Sequence, residues 1–120
     1  MTKVKICGLS TKEAVYAAVE AGADYIGFVF APSKRRVSFE KAHELARLIP
    51  PAVKIVGVFV QPNLKELETA ISVVPLDLIQ IHGNWDECLS HHISVPIIRA
   101  IQLDNTLGEL NTNAFIFLFF

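Results

Sequence analysis

Cysteine is scarce in this 120-residue chain: Cys7 and Cys88 are the only two, and they stand far apart. There is no CxxC pair and no Cys/His spacing suited to zinc, which argues against a redox dithiol and a structural zinc site. His91 and His92 are adjacent rather than one helical turn apart, so they are not expected to share a metal. Charge is also thin. Lysine and arginine total 11, aspartate and glutamate 12, and the net charge is −1. With those charges scattered, no basic field offers itself to nucleic acid or to an anionic membrane surface. No apolar run is long enough to cross a bilayer. No signal peptide is visible, since Met1-Thr2-Lys3-Val4-Lys5 leads straight into a short apolar strand. Linkers and low-complexity tracts are lacking, so a single domain over 1–120 is expected. Two free thiols and no export signal point to a reduced, cytoplasmic setting.

What is present is apolar: 52% of the residues are hydrophobic, which predicts a buried core rather than disorder. Short apolar runs alternate with amphipathic stretches. The first strand is read at Val4–Cys7. Ser10, with Glu13 three residues on, forms a capping box that opens a helix through Ala21, and Gly22 ends it. A strand follows at Tyr25–Phe30. Ser38 caps the next helix, which Pro50-Pro51 stops. A third strand, Val53–Val60, precedes a helix capped by Asn63 and running to Val73. The fourth strand is Leu78–Ile81, ending in His82-Gly83. A helix around Trp85–Ser90 is less marked. The fifth strand is Pro96–Ile101, Asp104–Leu110 is a weak helix at best, and a sixth strand begins at Ala114.

The strands do not alternate polar and apolar residues. Ile26-Gly27-Phe28-Val29-Phe30 and Ile55-Val56-Gly57-Val58-Phe59-Val60 are nearly continuous apolar runs, as in strands covered on both faces. Strand and helix in repeated succession mean βα units and a parallel α/β sheet. A complete (βα)8 barrel needs roughly 200 residues or more; a doubly wound open sheet needs far fewer, and length alone favours it. Details count against the familiar open sheets. No paired acids follow the first strand, as a receiver domain requires, and Gly8-Leu9-Ser10-Thr11 is a thin match to a phosphate loop. The run Phe115-Ile116-Phe117-Leu118-Phe119-Phe120 has no charge and no following helix. It reads as an interior strand without its partners, and so predicts poor solubility or self-association through open edges.

In parallel α/β folds functional groups gather at the C-terminal ends of strands. Those positions hold Cys7, then Lys34, Arg35 and Arg36, then Gln61, then Gln80 and His82, then Arg99 and Gln102. This polar, net positive rim with one thiol suits a small phosphorylated or carboxylated molecule. Each residue also has a plainer explanation. A single cysteine at a strand end is more often a small packing residue than a nucleophile or base. Arginines in a surface loop are usually solvated, and His82 before Gly83 can simply close a turn. Arg99, inside an apolar run, needs an anionic partner or a polar cavity.

Several of these segments, in order, resemble phosphoribosylanthranilate isomerases. They are Lys5-Ile6-Cys7-Gly8-Leu9, Glu20-Ala21-Gly22-Ala23-Asp24, Ile26–Phe30, Ser33-Lys34-Arg35-Arg36-Val37-Ser38, Val56–Val60 and Leu78-Ile79-Gln80-Ile81-His82-Gly83. The resemblance spans essentially the whole chain. It implies a (βα)8 TIM-barrel type fold, incomplete here, with about five βα units plus a sixth strand. It also implies an Amadori rearrangement of a phosphorylated aldose amine, with no metal or organic cofactor. By the same resemblance Cys7 is the catalytic base and Arg35 contacts substrate, with Arg36 as the fallback. Gln80 and His82 face the substrate, and Arg99 is a basic residue on the fifth strand. The family's general acid, an aspartate ending the sixth strand, aligns near Phe119, where there is none. The later phosphate-holding loops have no counterpart either. Loss of the acid alone is expected to cost at least about 10²-fold, so no measurable turnover is expected from the 120 residues alone.

Overall fold

A computed structural model describes residues 2–102 and 115–119, with side chains described through residue 100. Six strands form one sheet in the order β1-β2-β3-β4-β5-β6: Lys5–Cys7, Tyr25–Val29, Lys54–Val60, Leu78–His82, Ile97–Gln102 and Phe115–Phe119. The first five are parallel, each beside its neighbour in sequence. Helices α1 (Lys12–Glu20), α2 (Phe39–Ala46) and α3 (Leu64–Val73) fill the first three crossovers, and a 3-10 helix, Glu87–His92, fills the fourth. Sequential parallel order with helical crossovers is the barrel arrangement rather than the doubly wound one, in which strand order reverses.

The caps explain where the helices begin. Ser38 and Asn63 accept from the backbone N–H groups of Lys41 and Glu66, at 3.1 and 2.8 Å. The first helix starts one residue later than the capping box suggests. Thr11 is the N-cap, and its hydroxyl accepts from Ala14 N at 3.1 Å. Either hydroxyl can cap, and the tight turn after β1 sets which one reaches the helix. The second helix ends short of Pro50. Its last residues tighten into bonds from Leu48 N to Leu45 O and from Ile49 N to Ala46 O, the 3-10 finish common at helix ends.

Strand alternation separates two faces. Ile26, Phe28, Ile55, Phe59, Ile79, Ile81 and Ile97 meet Val15, Ala18, Ala42, Leu45, Leu67 and Ala70 of the helices in one apolar cluster. Phe30 ties β2 to its surroundings, with ring centroids 4.9 Å from Phe39 and 5.3 Å from Phe59. The intervening residues line the other face: Lys5 and Cys7, Gly27, Val56 and Val58, Gln80 and His82, Ile98 and Ala100.

The sixth strand departs from expectation. It runs antiparallel to β5, pairing Gln102 with Phe115 and Ile98 with Phe119. A parallel return needs a crossover of about a dozen residues or more, usually a helix. Residues 103–114 contain Gly108, Asn105, Asn111 and Asn113, poor helix formers, whereas an antiparallel return needs no covering helix. The weak helix expected at Asp104–Leu110 lies outside the described residues.

Candidate active site

The C-terminal ends of the parallel strands form a mouth, and β1 brings Cys7 to it. Cys7 and Lys5 are two residues apart on one strand, so their side chains leave from the same face. Both lean over β2, where the register sets Cys7 against Gly27. A Cβ added at Gly27 would lie 2.9 Å from Cys7 Sγ and 3.3 Å from Lys5 Cε. The missing side chain is therefore the space these two occupy.

Gly8 follows Cys7 at φ +84, a left-handed conformation that glycine adopts without strain. The Arg35 side chain lies against it: a Cβ there would be 2.6 Å from Arg35 Cδ and 3.2 Å from Arg35 Nη1. The loop after β2 thus carries Arg35 to the residue next to the thiol. Ser33 Oγ steadies that loop by accepting from Arg35 N at 3.0 Å. Arg36 goes elsewhere. Its backbone bridges to Val29, and it lines a separate groove with Phe30, Phe39, Glu40 and Glu66.

From β4, Gln80 projects into the same space. It is 4% exposed, the one buried polar side chain among the described residues. Its Oε1 accepts from the Lys5 ammonium, and its Nε2 lies 2.8 Å from His82 Nε2. Lysine can only donate. The amide oxygen must therefore face Lys5, its NH2 must donate to His82 Nε2, and the imidazole must be neutral with its proton on Nδ1. Electrostatics agree. Burial, then the Lys5 charge, then Arg99 all push the His82 pKa below its ordinary value. Burial also lowers the Lys5 pKa, while Cys7 opposes that shift. Gln61, at the end of β3, stays near this cluster through its N–H, which donates to His82 O at 2.9 Å.

Arg99 does not share the face of Cys7. In the register it stands beside Ile81, on the helix side. Its Nε is 3.3 Å from Glu87 Oε1, and its Nη1 and Nη2 donate to Ile81 O and Gly83 O at 3.3 and 2.7 Å. The anionic partner that an arginine in an apolar strand requires is thus Glu87, and the guanidinium fastens the loop after β4. Gln102 keeps its backbone place in β5, while its side chain lies outside those described. Among the described residues no three His, Cys, Asp or Glu side chains converge as a metal would require, and no helix is long and apolar enough to cross a membrane.

Residues 4–117 match the family model described as N-(5'phosphoribosyl)anthranilate (PRA) isomerase. The chain belongs to the phosphoribosylanthranilate isomerase family. It is 61% identical over 119 residues to the N-(5'-phosphoribosyl)anthranilate isomerase of Streptococcus mutans, covering 99% of this chain and 62% of that one. For the same enzyme of Streptococcus gordonii the figures are 58%, 99% and 61%. The chain therefore spans about three fifths of the length of the curated relatives it matches. Among solved structures, it is 39% identical to a phosphoribosylanthranilate isomerase in complex with reduced 1-(o-carboxyphenylamino)-1-deoxyribulose 5-phosphate. The TM-score is 0.82, over 88% of this chain and 56% of that one. The isomerase of Thermotoga maritima is also 39% identical, with a TM-score of 0.81 over 86% and 52%. The fold is accordingly α/β of the TIM-barrel type, present here as an open, incomplete barrel.

Against that family, strand-end reasoning overlooked Lys5. It lies on the first strand, two residues before the thiol, and so below the strand end. The available signal was parity: Lys5 and Cys7 must share a face, so a cation one step down the strand from a mouth thiol points toward the same cavity.

Proposed function

We propose that this chain supplies the base-bearing side of an N-(5'-phosphoribosyl)anthranilate isomerase of tryptophan biosynthesis. The observation that carries this is the Arg35 side chain lying against Gly8, the residue that follows Cys7 at the strand end, within a chain of that family. In the proposed reaction an acid protonates the ribose ring oxygen, and the ring opens to a protonated Schiff base. The Cys7 thiolate removes the proton from C2′. The C–H electron pair forms the C1′–C2′ double bond, and the C=N pair moves onto nitrogen to give an enolamine. Tautomerisation then yields the 1-deoxyketose. No step requires a metal or an organic cofactor. Arg35, rather than Arg36, contacts the phosphorylated substrate. Gln80 and His82 line the wall facing it, and Arg99 shapes the loop above them. A reducing cytoplasm would keep Cys7 and Cys88, both free thiols, in the form this chemistry uses.

By the family resemblance the acid aligns near Phe119, a position with no carboxylate, which β6 pairs with Ile98. The reading therefore carries the expectation of no measurable turnover from the 120 residues alone. Normal isomerase rates from protein of verified mass would overturn that assignment. The base assignment is tested without turnover. Cys7 is alkylated with iodoacetamide in the presence and absence of reduced 1-(o-carboxyphenylamino)-1-deoxyribulose 5-phosphate, and the modified residue is located by mass spectrometry. Slower labelling of Cys7, but not of Cys88, is expected. Equal labelling of Cys7 at millimolar analogue would sink the reading.

The same reading includes self-association through the open sheet. β1 and β6 are edge strands, each with a single neighbour among the described elements, and such edges present unpaired backbone groups to a second copy.

A further inference from the structure

We propose that Lys5 is a positioning residue for the Cys7 base: its ammonium, aimed by Gln80, is the ionic partner that holds the sulfur as thiolate in the mouth. The inference rests on the isomerase reading only in taking Cys7 as the base.

Three observations converge on it. Lys5 and Cys7 leave the same face of β1, and both flank the space left open by Gly27, with Cys7 Sγ and Lys5 Cε within 2.9 and 3.3 Å of one point. The ammonium is not left to wander, because Gln80 Oε1 accepts from it, and Gln80 is itself buried and tied to His82. The electrostatics at Lys5 agree with that placement: burial disfavours its charge and Cys7 favours it. Coulomb attraction is reciprocal, so a cation stabilised by the sulfur stabilises the thiolate in return.

Other charges face this space and must be separated from Lys5. Arg35 comes from the loop after β2, but its side chain is exposed, where solvent weakens its effect. His82 on β4 is held neutral by its hydrogen bond to Gln80. Arg99 is engaged by Glu87 and two backbone carbonyls. Tyr25 is the register neighbour of Lys5 on β2. Lys5 is the cation that leaves β1 on the same face as the sulfur.

The test is the iodoacetamide labelling rate of Cys7 from pH 6 to 10 in the full chain, with the exposed Cys88 as the internal reference. Lys5→Met should slow Cys7 about tenfold near neutrality, with the rate recovering at alkaline pH, while Cys88 is unchanged. Lys5→Arg should keep most of the neutral-pH rate, because the charge is restored. Lys5→Gln, which keeps a donor for Gln80 without the charge, should behave as Lys5→Met and provides the measurement if Lys5→Met fails to fold. A Cys7 profile in Lys5→Gln or Lys5→Met matching wild type would overturn the proposal. So would parallel slowing of Cys7 and Cys88, or slowing in Lys5→Arg equal to that in Lys5→Met. Because labelling needs no substrate, the outcome is independent of the analogue experiment: lysine-dependent labelling without protection by the analogue would leave this pairing standing and remove the isomerase reading.

Discussion

His82 shows how one residue acquires a pH dependence from its neighbours. Its Nε2 must accept from the Gln80 amide, which a protonated imidazole cannot do. Its folded-state pKa is lowered, by burial first and then by Lys5 and Arg99. The histidine's contribution to stability is therefore fully present above its ordinary value of 6.5 and is lost as the pH falls through the depressed folded-state value. Thermal unfolding followed from pH 8 to pH 4.5 should show a fall in Tm for wild type that is shallower in His82→Gln. Equal slopes would show that another group carries the dependence. Side-chain type at strand ends made Cys7, Gln80 and His82 legible in the sequence. It could not orient Arg99. Ile97, Arg99 and Ile101 alternate with Ile98 and Ala100, both rows are otherwise apolar, and parity has nothing to choose between. Register with β4 decides it, and register is a tertiary fact.

Helix starts were readable because the signal is local: a hydroxyl or amide side chain must satisfy the first free N–H groups. Ser38→Ala should therefore destabilise by about 1 kcal/mol. Phe28→Ala is a different kind of loss. Phe28 is fully buried between sheet and helices, and removing its ring leaves a cavity, at a cost of about 3–5 kcal/mol. Urea unfolding of the two variants should rank them in that order, and a Phe28→Ala effect no larger than that of Ser38→Ala would show that the outer core had been misplaced. The direction of β6 was not readable. Its apolar composition fits a parallel or an antiparallel partner equally well, and the choice depends on how the preceding chain returns.

At the scale of the whole molecule, the succession of βα units was legible from repeated apolar runs, but the barrel was not. An open α/β sheet and a barrel segment share that periodicity, and the observed strand order separates them. The open edges at β1 and β6 lead to an expected oligomer: sedimentation velocity at micromolar concentrations should show dimers or larger species, and a single monomeric boundary would refute the association. Gly27 has a consequence for tolerance to substitution along the chain. Elsewhere in the sheet, a substitution at a buried apolar position is felt first as lost packing. At position 27 every alternative brings a carbon into the space of a sulfur and the flexible end of a lysine, which can swing aside without unfolding the strands. Saturation mutagenesis at position 27 should therefore recover soluble, folded variants, each with the Cys7 sulfur displaced from its place beside Lys5.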